Sequence, residues 1–213
     1  MFFVPNFEDI SLAVSKGRAR EITALVESAL TDGVTAEDIL NLGLLAGMET
    51  VSAAFRENKI FVPEVMLAAR TMTMALEKIR PLLVGESAKP CGKVVICTVD
   101  GDRHDIGKNL VKMMLEGAGF EVFDLGVSVS ADKIIAAVKE KSPDIVALSA
   151  LLTTTMKNQE TVIEALVKEG LRDGVKVIVG GAPVTKEFAR SIGADGYAKD
   201  ASEAATLAKS FIA

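Results

Sequence analysis

The chain has 213 residues, enough for one large domain or two small ones with real cores. It is 49% apolar and 25% charged with a formal net charge of -5, so there is no electrostatic basis for binding nucleic acid or an anionic membrane. The start, MFFVPNFEDI, lacks a basic region and is broken by Pro5 and Asn6. With apolar runs no longer than strands, this predicts a cytoplasmic protein without signal peptide or membrane span.

Residues 1–84 have a helical rhythm. Two short helices precede Gly33. Thr35 is then placed to cap an amphipathic helix, with Glu37 and Asp38 in its first turn and Ile39, Leu42, Leu45, Ala46 and Met48 along one face. Pro63 suits the first position of a further helix running to about Leu83. A four-helix bundle is expected, followed by a linker over 85–92. From Lys93 the rhythm is strand, loop, helix. KVVICTV, EVFDLG, DIVALSA, KVIVGG and a short run at DGYA alternate with helices near 105–118, 130–141, 155–169, 184–191 and from Ala201 to the end. This pattern predicts a doubly wound, five-stranded parallel sheet of flavodoxin-like order over 93–213, making the whole chain α plus α/β. Of the two cysteines, Cys91 lies in the linker and Cys97 in the first strand. They form no CxxC pair and are expected as reduced thiols. With a single histidine, the chain has no Cys/His cluster, so any metal has to arrive inside a cofactor.

Sheets of this kind bind ligands at the carboxyl ends of their strands. Four loops emerge there: DGDRHDIGKN, SALLTTT, GGAPVT and AKDA. Each has an ordinary reading. His104, the only histidine, can be a solvated loop residue, Gly180-Gly181 a tight turn, and Ser149 a strand-end cap. GDRHDIG lacks the GxGxxG spacing of a dinucleotide loop. A phosphate-receiving aspartate at the end of the third strand is replaced by Ser149, which removes the response-regulator reading.

Taken together, Asp102-x-His104-x-x-Gly107, Ser149-x-Leu151 and Gly180-Gly181 resemble the signature of domains that bind cobalamin with its lower base displaced and a histidine in its place. TVDGDRHDIGKN and the preceding helical half resemble more specifically the corrinoid proteins of methyltransferase systems, including those for methanol and methylamines, and the cap and cobalamin-binding modules of methionine synthase. The resemblance covers nearly the whole chain. It implies cobalamin as cofactor, in a methyl or a hydroxo or aquo form, with His104 as the lower ligand of cobalt and Asp102 behind its other ring nitrogen. Thr155 stands where relatives often carry a serine that completes the relay, with Thr153 and Thr154 beside it. Proton uptake by the His104–Asp102 pair is expected when the histidine leaves the metal.

The same resemblance places Arg103, Asp105 and Ile106 along the cofactor loop, with Asp105 at the start of the following helix. It gives Ser149 a bond to the displaced base, Leu151 a contact with the corrin underside, and Thr153 a bond to the corrin or its tail. Gly107, Gly180 and Gly181 are expected to open a channel for the nucleotide tail, which Tyr197, Asp200 and Ala201 close at its far end. The helical half becomes a cap, with Phe61, Val62, Met66 and Arg70 as shielding residues. The Met-rich face (Met66, Met72, Met74) reads either as bundle core or as cofactor contact. The implied function is methyl carriage between a substrate-specific methyltransferase and a second one acting on a thiol or tetrahydrofolate, served by a reductive activator, with the linker as a hinge. A mutase small subunit and a cobalamin sensor or storage protein are the competing readings.

Overall fold

A computed structural model describes residues 7–82 and 89–212; most of the expected linker lies outside them. The chain divides into two compact units at Pro90–Cys91.

The first unit is built from four helical rods. The first two are α1 (Phe7–Ser15) and α2 (Ala19–Thr31). The third runs through α3 (Ala36–Asp38), a π-helical segment (Ile39–Leu45) and α4 (Ala46–Arg56). Thr35 caps it as its position predicts, its Oγ1 accepting from the Asp38 amide at 3.0 Å. The π-helical segment was not foreseen. Gly43 within it and Gly47 just beyond lie four residues apart, on one face. A Cβ on Gly43 would come within 2.7 Å of Ile10 Cγ2, and one on Gly47 within 2.8 Å of the Ser11 carbonyl oxygen, so α1 lies against bare backbone there. The fourth rod, α5 (Val62–Ile79), starts one residue earlier than expected, which puts Pro63 second. Its missing N–H is still one that no helical carbonyl could accept. The Glu64 carboxylate accepts the Phe61 amide at 2.9 Å and closes this turn. Ile10, Val14, Ile22, Val26, Leu44, Val51, Val65 and Met72 are buried in the core. The methionine face thus divides: Met72 is core, Met74 half-buried and Met66 exposed.

The second unit has the expected strands, β1 (Lys93–Thr98), β2 (Glu121–Asp124), β3 (Ile145–Ser149), β4 (Lys176–Gly180) and β5 (Gly196–Ala198), in the order β2-β1-β3-β4-β5. All pairs are parallel. The connecting helices are α6 (Ile106–Gly117), α7 (Ala131–Lys141), α8 (Lys157–Lys168), α9 (Lys186–Ser191) and the terminal α10 (Ala201–Ile212). Asp105 sits at the start of α6 as expected, its carbonyl accepting the Asn109 amide at 2.7 Å. With right-handed crossovers, the chain moves one way across the sheet from β1 to β2 and the other way from β2 to β5, which puts α7, α8 and α9 together on one face. That face buries Val95, Cys97, Val146, Leu148, Val177 and Val179 against Ile134, Val162, Leu166 and Ala189. The alternate residues face the other way. Among the described residues no helix is long and apolar enough to cross a membrane.

At the strand ends the register aligns Thr98, Ser149, Gly180 and Ala198 in one row across the sheet. Short side chains along this row leave the sheet face low. The two glycines expected to open a channel here also meet neighbouring backbone closely. A Cβ on Gly180 would lie 2.9 Å from the Ala198 carbonyl oxygen. On Gly181, whose φ is +125°, it would lie 1.8 Å from the Ala150 carbonyl oxygen. Both are therefore required by neighbouring backbone. Gly181→Ala should lower the denaturation midpoint by the equivalent of about 3 kcal/mol or more, with an unchanged slope in urea unfolding. A variant as stable as wild type would contradict this reading.

Candidate metal-ligand and cofactor site

The Asp102 side chain ties the loop after β1 to the loop after β3. Asp102 is fully buried (0% exposed), a position that strongly disfavours a lone carboxylate. Its Oδ1 receives the His104 ring Nδ1 at 2.7 Å and the His104 amide at 3.1 Å. Its Oδ2 receives the Thr155 hydroxyl at 2.7 Å and the amides of Leu151 and Leu152 at 2.7 and 3.3 Å. Burial alone would raise the pKa of this carboxyl. The bonds from Thr155, the His104 ring and amide, and Leu151 outweigh it and hold Asp102 far below the ordinary carboxylate range. An ionised carboxylate only accepts, so the hydrogen between the two groups belongs to His104 Nδ1. That tautomer leaves a lone pair on Nε2, which no described residue takes, on a ring whose side chain is 51% exposed. This is how a metal-binding imidazole is oriented.

The surroundings suit a flat, largely apolar ligand. Ile106, at the first position of α6, is 78% exposed, and Leu151 and Leu152 are exposed beside the relay. Leu152 escaped the sequence reading, although an apolar pair at a strand end was a usable signal. A Cβ on Gly107 would meet nothing within 4 Å, so this glycine, unlike Gly180 and Gly181, serves no packing need of the chain itself. Arg103 and Thr153 are exposed, and Thr155 alone of the three threonines is buried against Asp102. Ser149 lies half-buried in the row of small side chains.

Other expected residues fall elsewhere. Tyr197 pairs with Val179, so its side chain leaves on the α7–α9 face and packs on that core, away from the row of Ser149 and Ala198. Its expected place in the nucleotide pocket is therefore dropped. Asp200 is a helix cap: its Oδ1 accepts the Glu203 amide at 2.8 Å, while Glu203 accepts the Lys199 amide at 2.9 Å. Ala201 is buried at the start of α10. In the helical unit, Phe61, Met66 and Arg70 are exposed and Val62 is half-buried.

Several supporting residues carried no sequence signal. Thr98 donates its hydroxyl to the His104 carbonyl at 2.9 Å. Lys108, buried at the start of α6, donates to both Asp124 oxygens at 2.8 and 2.7 Å, and Asp124 Oδ1 also accepts the Gly126 amide. Burial, with Asp124 nearby, pushes the Cys97 thiol up to about 12, so it is no thiolate ligand. Among the described residues no three His, Cys, Asp or Glu side chains converge on one metal position. The donor set is thus one imidazole beside an apolar platform and empty space, which fits a metal that brings its remaining ligands in a macrocycle, as cobalamin does.

Comparison with known proteins agrees with this fit. A family model described as B12 binding domain matches residues 92–206, and a second with the same description matches residues 7–80. Dimethylamine corrinoid protein 1 of Methanosarcina acetivorans is 43% identical over 207 residues, covering 97% of each chain. The crystal structure of a cobalamin-binding protein from Desulfitobacterium hafniense superposes with a TM-score of 0.83 at 32% identity, over 99% of this chain and 100% of that one. A chain of the methanol:cobalamin methyltransferase complex of Methanosarcina barkeri gives a TM-score of 0.85 at 31% identity, over 95% of this chain and 78% of that one. With an oriented histidine at the strand ends and both units matched, this chain belongs to the B12-binding corrinoid proteins.

Proposed function

We propose that the chain carries a methyl group on cobalt between two methyltransferases. A substrate-specific enzyme loads it, with a methylamine such as dimethylamine as donor, and a second passes the methyl to a thiol or tetrahydrofolate. The observation that carries this reading is His104, whose Nδ1 is tied to buried Asp102 at 2.7 Å and whose Nε2 is left free beside an exposed apolar platform. The methylamine assignment rests on the similarity to dimethylamine corrinoid proteins.

The corrinoid, when bound, supplies a cobalt that accepts and yields the methyl group. In this reading His104 Nε2 is the lower ligand, Asp102 fixes the ring's plane and tautomer, and Thr155 holds the far carboxylate oxygen. Leu151, Leu152 and Ile106 would supply apolar contacts to the corrin, and Arg103, Asp105 and Thr153 polar ones. Gly107 and Ser149 make room for and bond the displaced lower nucleotide, and Gly180, Gly181 and Ala201 shape the far part of its path. Phe61, Val62 and Met66 form an apolar edge of the helical unit suited to shielding a metal-bound methyl from water. The division into a cap (1–84), a hinge linker (85–92) and a cobalamin-binding domain (93–213) is part of this proposal, as are a reductive activator and a cytoplasmic setting.

The test supplies the reduced, cobalamin-loaded protein with a methylamine methyltransferase, labelled methylamines and an acceptor methyltransferase, and measures label reaching the thiol or folate. Transfer should require this chain. It should fall more than about 100-fold in His104→Ala and roughly 10- to 100-fold in Asp102→Ala, the usual cost of losing the group behind a metal ligand. Label that never leaves any methylamine would sink the donor assignment, and full transfer by His104→Ala would sink the role of the ligand. Gly107→Ala separates ligand space from packing. It should stabilise the cofactor-free protein by up to about 1 kcal/mol, as Gly→Ala does in helices, while weakening cobalamin binding in titration calorimetry at least about tenfold. Unchanged affinity would show that the space at Gly107 is not used.

A further inference from the structure

The side chain of Asp102 holds the His104 ring, but a different set of bonds holds the backbone that carries both. The turn after β2 runs beside this loop. Thr98 donates its amide to the Gly126 carbonyl at 3.0 Å, and the Val129 amide returns a bond to the Thr98 carbonyl at 3.1 Å. Between them stands Ser128 with φ of +50°, a left-handed conformation that costs a non-glycine residue about 1 kcal/mol or more. Such a residue persists only where its surroundings enforce it. In this conformation the Ser128 amide donates to the Asp102 carbonyl at 2.8 Å. Its Oγ donates to Asp100 Oδ1 at 3.2 Å and accepts the Gly101 amide at 3.0 Å, and the same Asp100 oxygen also accepts that amide at 2.9 Å. From the other side, Asn158 donates to the Asp100 carbonyl at 2.7 Å. The strained serine and Asp100 therefore brace the segment Asp100–Asp102 immediately before the ligand.

We infer that Ser128 and Asp100 form a latch that positions His104 for the metal, and so help set the balance between its bound and released states. The inference rests on the reading of His104 as lower ligand. Neither residue bonds the ring; Ser128 acts through its amide on the Asp102 carbonyl and Asp100 through Ser128 Oγ and the Gly101 amide, both as positioning residues. With the hydroxyl or the carboxylate removed, the segment Asp100–Asp102 loses part of its bracing and the ligand is held less well. If the histidine binds the oxidised metal more tightly than the reduced one, a weaker hold would make reduction easier.

The test uses the full chain loaded with cobalamin, as wild type, Ser128→Ala, Ser128→Gly and Asp100→Ala, and the double variant Ser128→Ala/Asp100→Ala. Electron paramagnetic resonance of the cobalt(II) state reads the fraction with an axial nitrogen, and a redox titration reads the cobalt(II)/cobalt(I) midpoint. Thermal melts of the cofactor-free forms confirm folding. Each single variant should lower the bound-to-released ratio of the histidine about fivefold, the worth of one net hydrogen bond. At 59 mV per tenfold for a one-electron couple, the midpoint becomes about 40 mV less negative. The double variant should add little, because the two side chains act as one unit. The glycine variant separates this latch from simple relief of strain, since it removes both the strain and the hydroxyl. Wild-type values in Ser128→Gly, or in all the single variants, would overturn the inference. A wild-type spectrum without nitrogen coupling would overturn the ligand assignment and this inference with it.

Discussion

A fully buried carboxylate that accepts five hydrogen bonds is the constraint on which the rest of the strand-end region depends: two bonds come from His104, two from the amides of Leu151 and Leu152, and one from Thr155. Burying that charge without partners would cost several kcal/mol. Satisfying it draws the loops after β1 and β3 together and makes the imidazole tautomer a consequence of charge. Removing the Asp102 side chain would strip the partner from buried donors in two loops at once, so stability and ligand geometry share one origin.

The sheet beneath follows a second constraint, close backbone approach. Gly180 and Gly181 are needed because carbonyls of Ala198 and Ala150 occupy the space a side chain would take. Gly107 stands in open space, and its lack of a side chain has no explanation within the protein itself. The three glycines look alike in sequence, yet only Gly107 lacks a packing reason within the chain. The exposed Ile106, Leu151 and Leu152 have the same character, being apolar surface retained where the chain alone gains nothing by it.

Much of this was legible from residue order. The helical rods, the strands and the β2-β1-β3-β4-β5 order follow from hydrophobic period and crossover handedness. The relay of Asp102, His104 and Thr155 was legible only through the family resemblance that the motifs around His104, Ser149 and Gly180 carry. What was hidden depends on side-chain direction and backbone sign. Tyr197 was misplaced because β5 spans only Gly196–Ala198, too short for alternation to reveal which face a residue takes. Ser128 left no trace because serine is not a residue that announces a left-handed backbone. Lys108 and Asp124 are 16 positions apart, and nothing local pairs them.

The central claim is that the single histidine of this chain ligates cobalt through its free ring nitrogen, and that uniqueness makes it directly testable. Protein made with ¹⁵N-histidine and loaded with cobalamin should be compared with unlabelled protein by electron paramagnetic resonance in the cobalt(II) state. The account predicts a threefold splitting from one axial ¹⁴N that becomes twofold with the label. A splitting that ignores the label would place the cofactor's own base under the metal, and no splitting would leave it without a nitrogen; either result contradicts the account.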